Sequence, residues 1–327
     1  MNTENKSRQN IQSQISEFST KIEKIKQNII TVFSGNSHVV DKLLIGFLSG
    51  LHILIEDIPG VGKTTLAKCL ARATGLDFGR IQFTPDLLPG DILGFSVWSR
   101  EKEEFIFKPG AIMHQFILAD EINRASARTQ SSLLESMQEK HITVDNQTYT
   151  LPDPFFLIAT QNPVSFEGTF KLPEAELDRF GISFSIGYPD EEAEKHILNL
   201  DFDEDLSEKL VSLVGKKDIK KIRMLTKDIH TDEKIIEYLL EFVKLTREHR
   251  YIKLGLSPRG SQHLLRAAKA KAFLEKRDFM VPEDLIEIIP MVVSHKIILS
   301  ADARMEKIKA DDVIDSLLSQ LSLPTGL

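Results

Sequence analysis

The feature that most constrains this chain is the stretch 51–65, where a short apolar segment runs into a glycine-containing loop and then a helix-forming segment. The loop carries Gly60 and Gly62, and Lys63 and Thr64 follow it. In such a loop backbone N–H groups can surround phosphates, a lysine supplies positive charge and a hydroxyl can ligate Mg²⁺. The alternative is a chance Gly-Lys-Thr in a turn. The order strand, loop, helix makes that alternative improbable and predicts a nucleotide phosphate site.

One residue of this stretch is off-pattern. The usual phosphate-loop spelling has a glycine five residues before Gly62, and this chain has Asp57 there. An acidic side chain beside phosphates is unexpected, because like charges repel. The role of Asp57 is therefore an open question at this point.

Composition limits the classes of protein to consider. A chain of 327 residues is long enough for two domains. The net charge of −7 disfavours nucleic acid as the main substrate. The single cysteine, Cys69, excludes a disulfide within the chain and fits a reducing compartment. No apolar run approaches the ~20 residues of a membrane span, and the first ten residues lack a signal core, so we expect a cytoplasmic protein.

Two further apolar strands end in polar side chains. The strand 116–119 ends in Asp120 and Glu121, and the strand 155–159 leads to Asn162. In a nucleotide hydrolase one carboxylate holds Mg²⁺, the next polarises the attacking water, and an amide can orient that water. The alternatives are an acid-rich helix start and an Asn-Pro turn.

Three arginines stand at loop or helix starts from which they could reach a γ-phosphate: Arg124, Arg179 and Arg259. Arginine suits this role because its planar cation binds phosphate oxygens. A surface arginine is more often a solvated charge, and composition alone does not choose among the three.

Strands alternating with helices predict an α/β fold with a mostly parallel sheet. We assign residues 1–190 to this core and 191–327, where helical spacing takes over, to a smaller helical domain. An N-terminal helix at 7–33 has an apolar face, and packing on its own domain is favoured over a free coiled-coil seam. The stretch 85–110, which holds Trp98, is irregular and suggests a hairpin. Trp98 either binds a partner or completes a small local core.

A second hairpin is predicted at 141–151, around a turn at Asp145 and Asn146. The nine histidines and the single cysteine show no metal-binding spacing, so any Mg²⁺ arrives with the nucleotide.

Taken together, the motifs closely resemble the MoxR family of AAA+ ATPases, which are related to magnesium chelatases. The resemblance covers about residues 33–300. The segments that carry it are Pro59–Thr64, Gln82–Leu88, Leu118–Ala125, Ala159–Pro163, Glu167–Thr169, Leu172–Ala175, Leu177–Phe180 and Ser257–Arg259.

The resemblance implies a P-loop NTPase with a three-layer αβα core and an all-helical lid, ATP and Mg²⁺ bound at their junction, and assembly into a ring, usually a hexamer. It implies that Mg²⁺ is held by Thr64 and Asp120. The implied site residues are the Walker A residues Pro59, Gly60, Val61, Gly62, Lys63, Thr64 and Thr65, the Walker B pair Asp120 and Glu121, sensor 1 Asn162, the arginine finger Arg179 and sensor 2 Arg259.

The resemblance also implies partners. Arg124 matches a family position that either lies at the subunit interface or assists the arginine finger. The inserts 85–110 and 141–151 match inserts that contact substrates or partners in the family. Family members act as chaperones that mature or insert metal into other proteins, often with a partner that has a von Willebrand factor A domain. The segment 33–36 only loosely matches the family's segment near adenine. Asp57 is the other departure from the family pattern. Neither departure removes a catalytic side chain, so we expect hydrolysis, at a slow or assembly-dependent rate.

Two other functions stay open at this point. One is a nucleotide-gated binding scaffold whose hydrolysis is incidental, which would not need Glu121 and Asn162. The other is a DNA-remodelling ATPase, which the acidic balance disfavours.

Overall fold

A computed structural model of the protein describes residues 2–33, 36–163, 169–199 and 206–324, with the side chains of residues 2–9 and 196 outside the description. The middle of the segment 33–36 and residues Glu167 and Gly168 of one family motif lie outside the described residues. The helices are α1 (Asn2–Phe33), α2 (Ser37–Ser49), α3 (Lys63–Thr74), α4 (Pro89–Leu93), α5 (Ala127–Glu139), α6 (Glu174–Leu177), α7 (Glu191–Leu198), α8 (Lys216–Lys227), α9 (Glu233–Glu248), α10 (Pro258–Leu274), α11 (Pro282–Val293), α12 (Ala301–Met305) and α13 (Ala310–Gln320).

The strands are β1 (Ile53–Glu56), β2 (Phe78–Gln82), β3 (Gly94–Ser99), β4 (Glu104–Pro109), β5 (Phe116–Asp120), β6 (His141–Val144), β7 (Gln147–Thr150), β8 (Phe156–Gln161), β9 (Ile182–Phe184), β10 (Ile252–Leu254) and β11 (Ile298–Leu299). Five of them form one parallel sheet in the order β2-β5-β8-β1-β9, and the others form three two-stranded pairs.

The sheet register places the carboxyl ends of the predicted site strands level with one another. Glu56 is level with Gln161, and Gln82 is level with Asp120. Strands β1, β5 and β8 are buried along almost their whole length, as expected for a parallel sheet covered on both faces. The predicted α/β fold with a parallel sheet is confirmed.

The N-terminal helix packs on the core, as predicted, and also on the helical part, and it begins earlier than the apolar spacing suggested. Its apolar face is buried through Ile15, Ile22 and Ile25. The Ser19 hydroxyl donates to the carbonyl of Phe273, 2.7 Å away in α10. Helix α1 therefore packs against both the core and the helical part that follows it.

Beyond residue 206 the described chain is mostly helical, which confirms the predicted lid. It also contains one element that the helical spacing did not reveal. Strands β10 and β11 form a small antiparallel pair, with Ile252 level with Leu299.

The two predicted inserts are both hairpins, and they touch each other. Strands β3 and β4 pair with Trp98 level with Phe105. The rings of Phe107 in the first hairpin and Tyr149 in the second stack with centroids 3.9 Å apart. Trp98 has an edge-on ring partner in Phe105 and still leaves half of its own surface exposed.

Candidate active site

The phosphate loop has the backbone that its glycines predicted. Gly60 and Gly62 both have φ near +86°, a left-handed conformation that other residues rarely adopt. Helix α3 begins directly afterwards at Lys63, so its unpaired N–H groups face the loop. A Cβ atom at Gly62 would lie 3.1 Å from the ring of Phe33, which places the end of α1 against this loop.

Lys63 is held over the loop by backbone carbonyls. Its ammonium donates to the carbonyls of Asp57 at 2.5 Å and Ile58 at 3.2 Å. Burial lowers the pKa of Lys63, and the charges of Asp57, Asp120 and Glu121 oppose that shift. The ammonium is thus a partly desolvated cation at the phosphate loop, where its charge would stabilise phosphate oxygens.

The structure explains the off-pattern Asp57. Its side chain is 7% exposed and accepts hydrogen bonds from three backbone N–H groups, those of Ile58, Ile186 and Gly187, at 2.6 to 2.8 Å. Two of these donors follow β9, where the chain leaves the core sheet. Asp57 therefore ties the start of the phosphate loop to the segment that leads out of the core, and its carboxylate is engaged there.

Asp57→Asn is expected to lower the free energy of unfolding by about 2 kcal/mol, because charge-assisted hydrogen bonds to a buried carboxylate are lost and an amide NH₂ would face N–H donors. Chemical unfolding measures this change. The exposed turn residue Asp145 provides the matched control, and Asp145→Asn should change stability by less than ~0.5 kcal/mol. Equal stability of the two variants would contradict this role for Asp57.

The acidic pair lies at the same edge of the sheet as the phosphate loop. The Thr160 hydroxyl donates to Asp120 Oδ1 at 2.6 Å and accepts from the backbone N–H of Glu121 at 2.9 Å. Arg80, on strand β2, forms an ion pair with Asp120 Oδ2 at 2.7 Å. Both carboxylate oxygens of Asp120 therefore have partners in this structure.

Glu121 follows the strand in a left-handed conformation, with φ of 56°. Its Oε2 accepts from Gln82 at 3.2 Å and from Arg124 at 3.0 Å. Asn162 directly follows the neighbouring strand β8, and its carbonyl accepts a hydrogen bond from Asn123. Lys63, Asp120, Glu121 and Asn162 are thus brought to one edge.

Arg179 lies at the opposite end of the sheet. It precedes β9, whose first residue Ile182 is level with Ile53 at the start of β1. Its guanidinium pairs with Glu176 at 2.6 Å and donates to Gln138, near the end of α5. With a rise of ~3.3 Å per strand residue, roughly 15 Å separate this level of the sheet from the phosphate loop of the same chain.

Arg259 contacts Asp178, the residue before Arg179, and so lies at the same end of the sheet. Its guanidinium is 3.5 Å from Asp178 Oδ2, and Ser257 also donates to the Asp178 carboxylate at 3.1 Å. Lys296, whose side chain is 1% exposed, donates to the carbonyls of Asp178 and Phe180. The structure does not bring Arg179 or Arg259 together with the other predicted site residues.

Known proteins resemble this chain over most of its length. The model of the ATPase family associated with various cellular activities matches residues 52–182, and the AAA lid domain matches residues 244–317. The chain is 42% identical to YeaC of Bacillus subtilis, over 92% of this chain and 94% of that protein. It is 37% identical to the chaperone MoxR1 of Mycobacterium tuberculosis, over 90% of this chain and 80% of that protein.

This chain belongs to the MoxR family of AAA+ ATPases. A crystal structure of a candidate ATPase from Cytophaga hutchinsonii has the same fold, with a TM-score of 0.89, 38% identity, and coverage of 98% of this chain and 99% of that one. The MoxR-family chain is an enzyme that uses and hydrolyses ATP. The scaffold and DNA-remodelling alternatives gain no support from these relatives.

The described residues also bear on membrane spans and metal clusters. Each helix among the described residues is too short or too polar to cross a membrane. The described residues also contain no group of three or more His, Cys, Asp or Glu side chains placed to hold a metal ion.

Sequence reasoning missed several residues at the site. Arg80 and Gln82 lie two apart on β2, on the strand face that meets Asp120 and Glu121. Their period-2 spacing was visible, but the pairing of β2 with β5 was not. Thr160 bridges Asp120 and the backbone of Glu121, and the sequence showed it only as part of the family motif 159–163.

The buried Lys296 is expected to make the free energy of unfolding of this MoxR-family chain depend on pH. Burial lowers its pKa from 10.5 to about 8, helped by Arg259 and opposed by Asp178. Between these two pH values the unfolded chain binds more protons than the folded one, so the free energy of unfolding should rise with pH.

Lys296→Met should remove this rise, which amounts to about 3 kcal/mol between pH 8 and 10.5. Chemical unfolding at several pH values measures it, with the exposed Lys253→Met as control. Parallel pH profiles of wild type and Lys296→Met would show that Lys296 does not titrate in this way.

Proposed function

We propose that this chain is one subunit of an ATP-driven ring that remodels or matures a client protein. The ring would be a hexamer. The observation that carries the proposal is the division of the site between two ends of the sheet. Lys63, Asp120 and Glu121 lie at one end, and Arg179 and Arg259 lie roughly 15 Å away at the other. A complete site then needs the arginine end of a neighbouring subunit.

The residues at the phosphate-loop end suit Mg–ATP. The loop N–H groups and Lys63 would bind the phosphates, together with Pro59, Val61 and Thr65. Thr64 and Asp120 would hold Mg²⁺, which when bound neutralises phosphate charge. The fit rests on the left-handed glycines, the open space at Gly60 and the partly desolvated Lys63, whose charge is influenced by Asp120 and Glu121.

Each catalytic side chain has a separate task in this proposal. Glu121 would accept a proton from the attacking water, and Asn162 would orient that water. Arg179 of the neighbouring subunit would stabilise charge on the transferred phosphoryl group, with Arg259 of the same neighbour beside it.

The described structure corresponds to a resting arrangement of the acidic pair. Gln82 and Arg124 hold Glu121, and Arg80 holds Asp120. Arg80 would compete with Mg²⁺ for one oxygen of Asp120, whereas Gln82 and Arg124 engage only one of the two carboxylate oxygens of Glu121. Competition between Arg80 and Mg²⁺ fits the expectation of slow hydrolysis.

The client would be a protein, and its contact surface would be the first hairpin. Four apolar side chains on this hairpin are 41 to 70% exposed, and they are Phe95, Val97, Trp98 and Phe105. An exposed apolar patch of this kind is typical of a protein-binding surface. Maturation by metal insertion or complex assembly, a von Willebrand factor A domain partner and a cytoplasmic setting belong to the same proposal.

A photo-crosslinking amino acid at position 105 tests client contact in the Glu121→Gln variant, which should keep ATP bound. We expect ATP-dependent crosslinks to protein from position 105. Position 279 is the matched control, because Phe279 is also about half exposed but lies in the helical part. Equal crosslinking from both positions, or crosslinks that do not depend on ATP, would count against the hairpin as the client surface.

A further inference from the structure

A large cleft lies between the core and the helical part, away from the phosphate loop. Its volume is about 1090 Å³. It is lined by the end of α2, the segment 150–155 that leads into β8, and the facing sides of α8 and α10. These segments lie at the end of the sheet opposite to the phosphate loop, so the cleft is separate from the proposed ATP site. We call it the basic cleft because of the cationic residues given below.

The charge of the basic cleft is opposite to that of the chain. The chain has a net charge of −7, whereas six of the lining side chains are cationic and one is a carboxylate. That carboxylate, Asp153, is paired with Lys220 at 2.5 Å. The cationic residues are Lys140, Lys220, Arg223, Lys227, Arg266 and Lys269.

Two arginines in the cleft are fixed by the protein. Arg223 donates through Nε and Nη2 to the carbonyl of Phe47, at 3.2 and 3.1 Å, and Arg266 donates to the carbonyl of Ser49 at 2.8 Å. Neither forms an ion pair with a described residue. Burial and the nearby charge of Arg266 lower the pKa of Arg223 to about 10. Two like charges held this close favour an anion between or beside them.

A purely structural reading accounts for only part of this arrangement. Cations at a helix C-terminus stabilise its carbonyls, and α2 ends here. However, α2 is already capped by Gly50, whose backbone N–H donates to the carbonyls of Gly46 and Phe47. The two arginines donate to two different carbonyls of this helix end, and the four lysines of the lining add further positive charge to the same space.

The rest of the lining limits the kind of anion. Leu48, Leu151, Pro154 and Leu265 supply apolar surface. Of the two aromatic rings in the lining, Phe155 is only 8% exposed and the partly buried His52 ring packs edge-on against it. Nucleic acids bind such basic channels by stacking bases on exposed rings, and this lining offers no exposed ring. A ligand with spaced carboxylates and apolar side chains matches the lining better.

We propose that the basic cleft binds an acidic, apolar segment of a protein partner. Its carboxylates would pair with the cations of α8 and α10, and its apolar side chains would lie against Leu151 and Pro154. Because the cleft joins the core to the helical part, such a segment would contact both.

The test measures binding of a fluorescein-labelled peptide of alternating Glu and Leu to the full chain without nucleotide, by fluorescence anisotropy. The double variant Arg266→Gln, Lys269→Gln should weaken binding at least about tenfold, the loss expected from two charge-assisted contacts. Its ATPase activity should be unchanged. Because no ATP is present in the binding assay, failure here would leave the proposed ring ATPase untouched.

A charge-matched control distinguishes binding in the cleft from nonspecific electrostatic attraction between the peptide and the protein surface. Lys244 and Lys253 are exposed lysines of the helical part outside the cleft. Lys244→Gln, Lys253→Gln should weaken binding less than twofold, and a peptide with Gln in place of Glu should not bind.

Three results would overturn the proposal. One is an equal loss in the two double variants, and another is equal binding of the Gln peptide. The third is displacement of the acidic peptide by a single-stranded oligothymidylate or by inorganic phosphate at a similar concentration, which would assign the cleft to nucleic acid or to a small anion.

Discussion

Glu121→Gln is expected to lower ATP turnover by about 10²–10⁴-fold while ATP affinity stays within about twofold. The amide keeps the shape of the side chain but cannot accept a proton from water. The hydrogen bonds to Gln82 and Arg124 show that the side chain is already at the sheet edge beside the phosphate loop. Steady-state turnover and equilibrium binding of ATP measure the two quantities.

The exposed Glu135 on α5 provides the control for this substitution. Glu135→Gln removes the same charge from the same region and should leave turnover unchanged. Turnover of Glu121→Gln within a few-fold of wild type would exclude Glu121 as the base. Full biological complementation by this variant would favour a nucleotide-gated scaffold over a remodelling machine.

Arg179→Ala is expected to lower turnover by ~10³–10⁵-fold, the range that an arginine supplied in trans contributes in GTPases. ATP affinity should largely persist, because Arg179 lies roughly 15 Å from the phosphate loop of its own chain. The exposed Arg128 on α5 serves as the control, and Arg128→Ala should keep wild-type turnover.

Mixing two inactive proteins tests the trans assignment. A subunit with Arg179→Ala still has Glu121, and a subunit with Glu121→Gln still has Arg179. In a mixed ring some sites would combine the intact residues of both, so part of the turnover should return. No recovery on mixing, or unchanged turnover in pure Arg179→Ala protein, would contradict a finger supplied by the neighbour. Recovery would also show that the Arg179→Ala chain folds, although the ion pair with Glu176 is lost.

Local patterns in the sequence predicted the strands and the loop that carry the site. The apolar runs before Asp120 and Asn162 became buried parallel strands, and the glycines of the phosphate loop adopted the predicted left-handed backbone. Side-chain type and spacing act over a few residues, which is the range over which a strand, a loop or a helix is decided. The β10–β11 pair escaped this reasoning because its strands are only three and two residues long and lie far apart in the chain.

The partners of individual side chains could not be predicted in this way. Asp57 looked misplaced beside phosphates, and its partners Ile186 and Gly187 are about 130 residues further along the chain. The partners of Glu121 and Asp120 on β2 depend on the pairing of β2 with β5. Both follow from strand order and register, which no local pattern encodes.

The sequence by itself determined that this chain resembles MoxR ATPases, and it predicted a phosphate loop, a base at Glu121 and a water-orienting amide at Asn162, because each of these rests on a short motif. Only the tertiary structure decided that Lys63 and Glu121 share one end of the sheet while Arg179 and Arg259 share the other. The physical reason is that parallel strands fix which end of the sheet each loop occupies, and an arginine side chain is too short to span the strand between those ends.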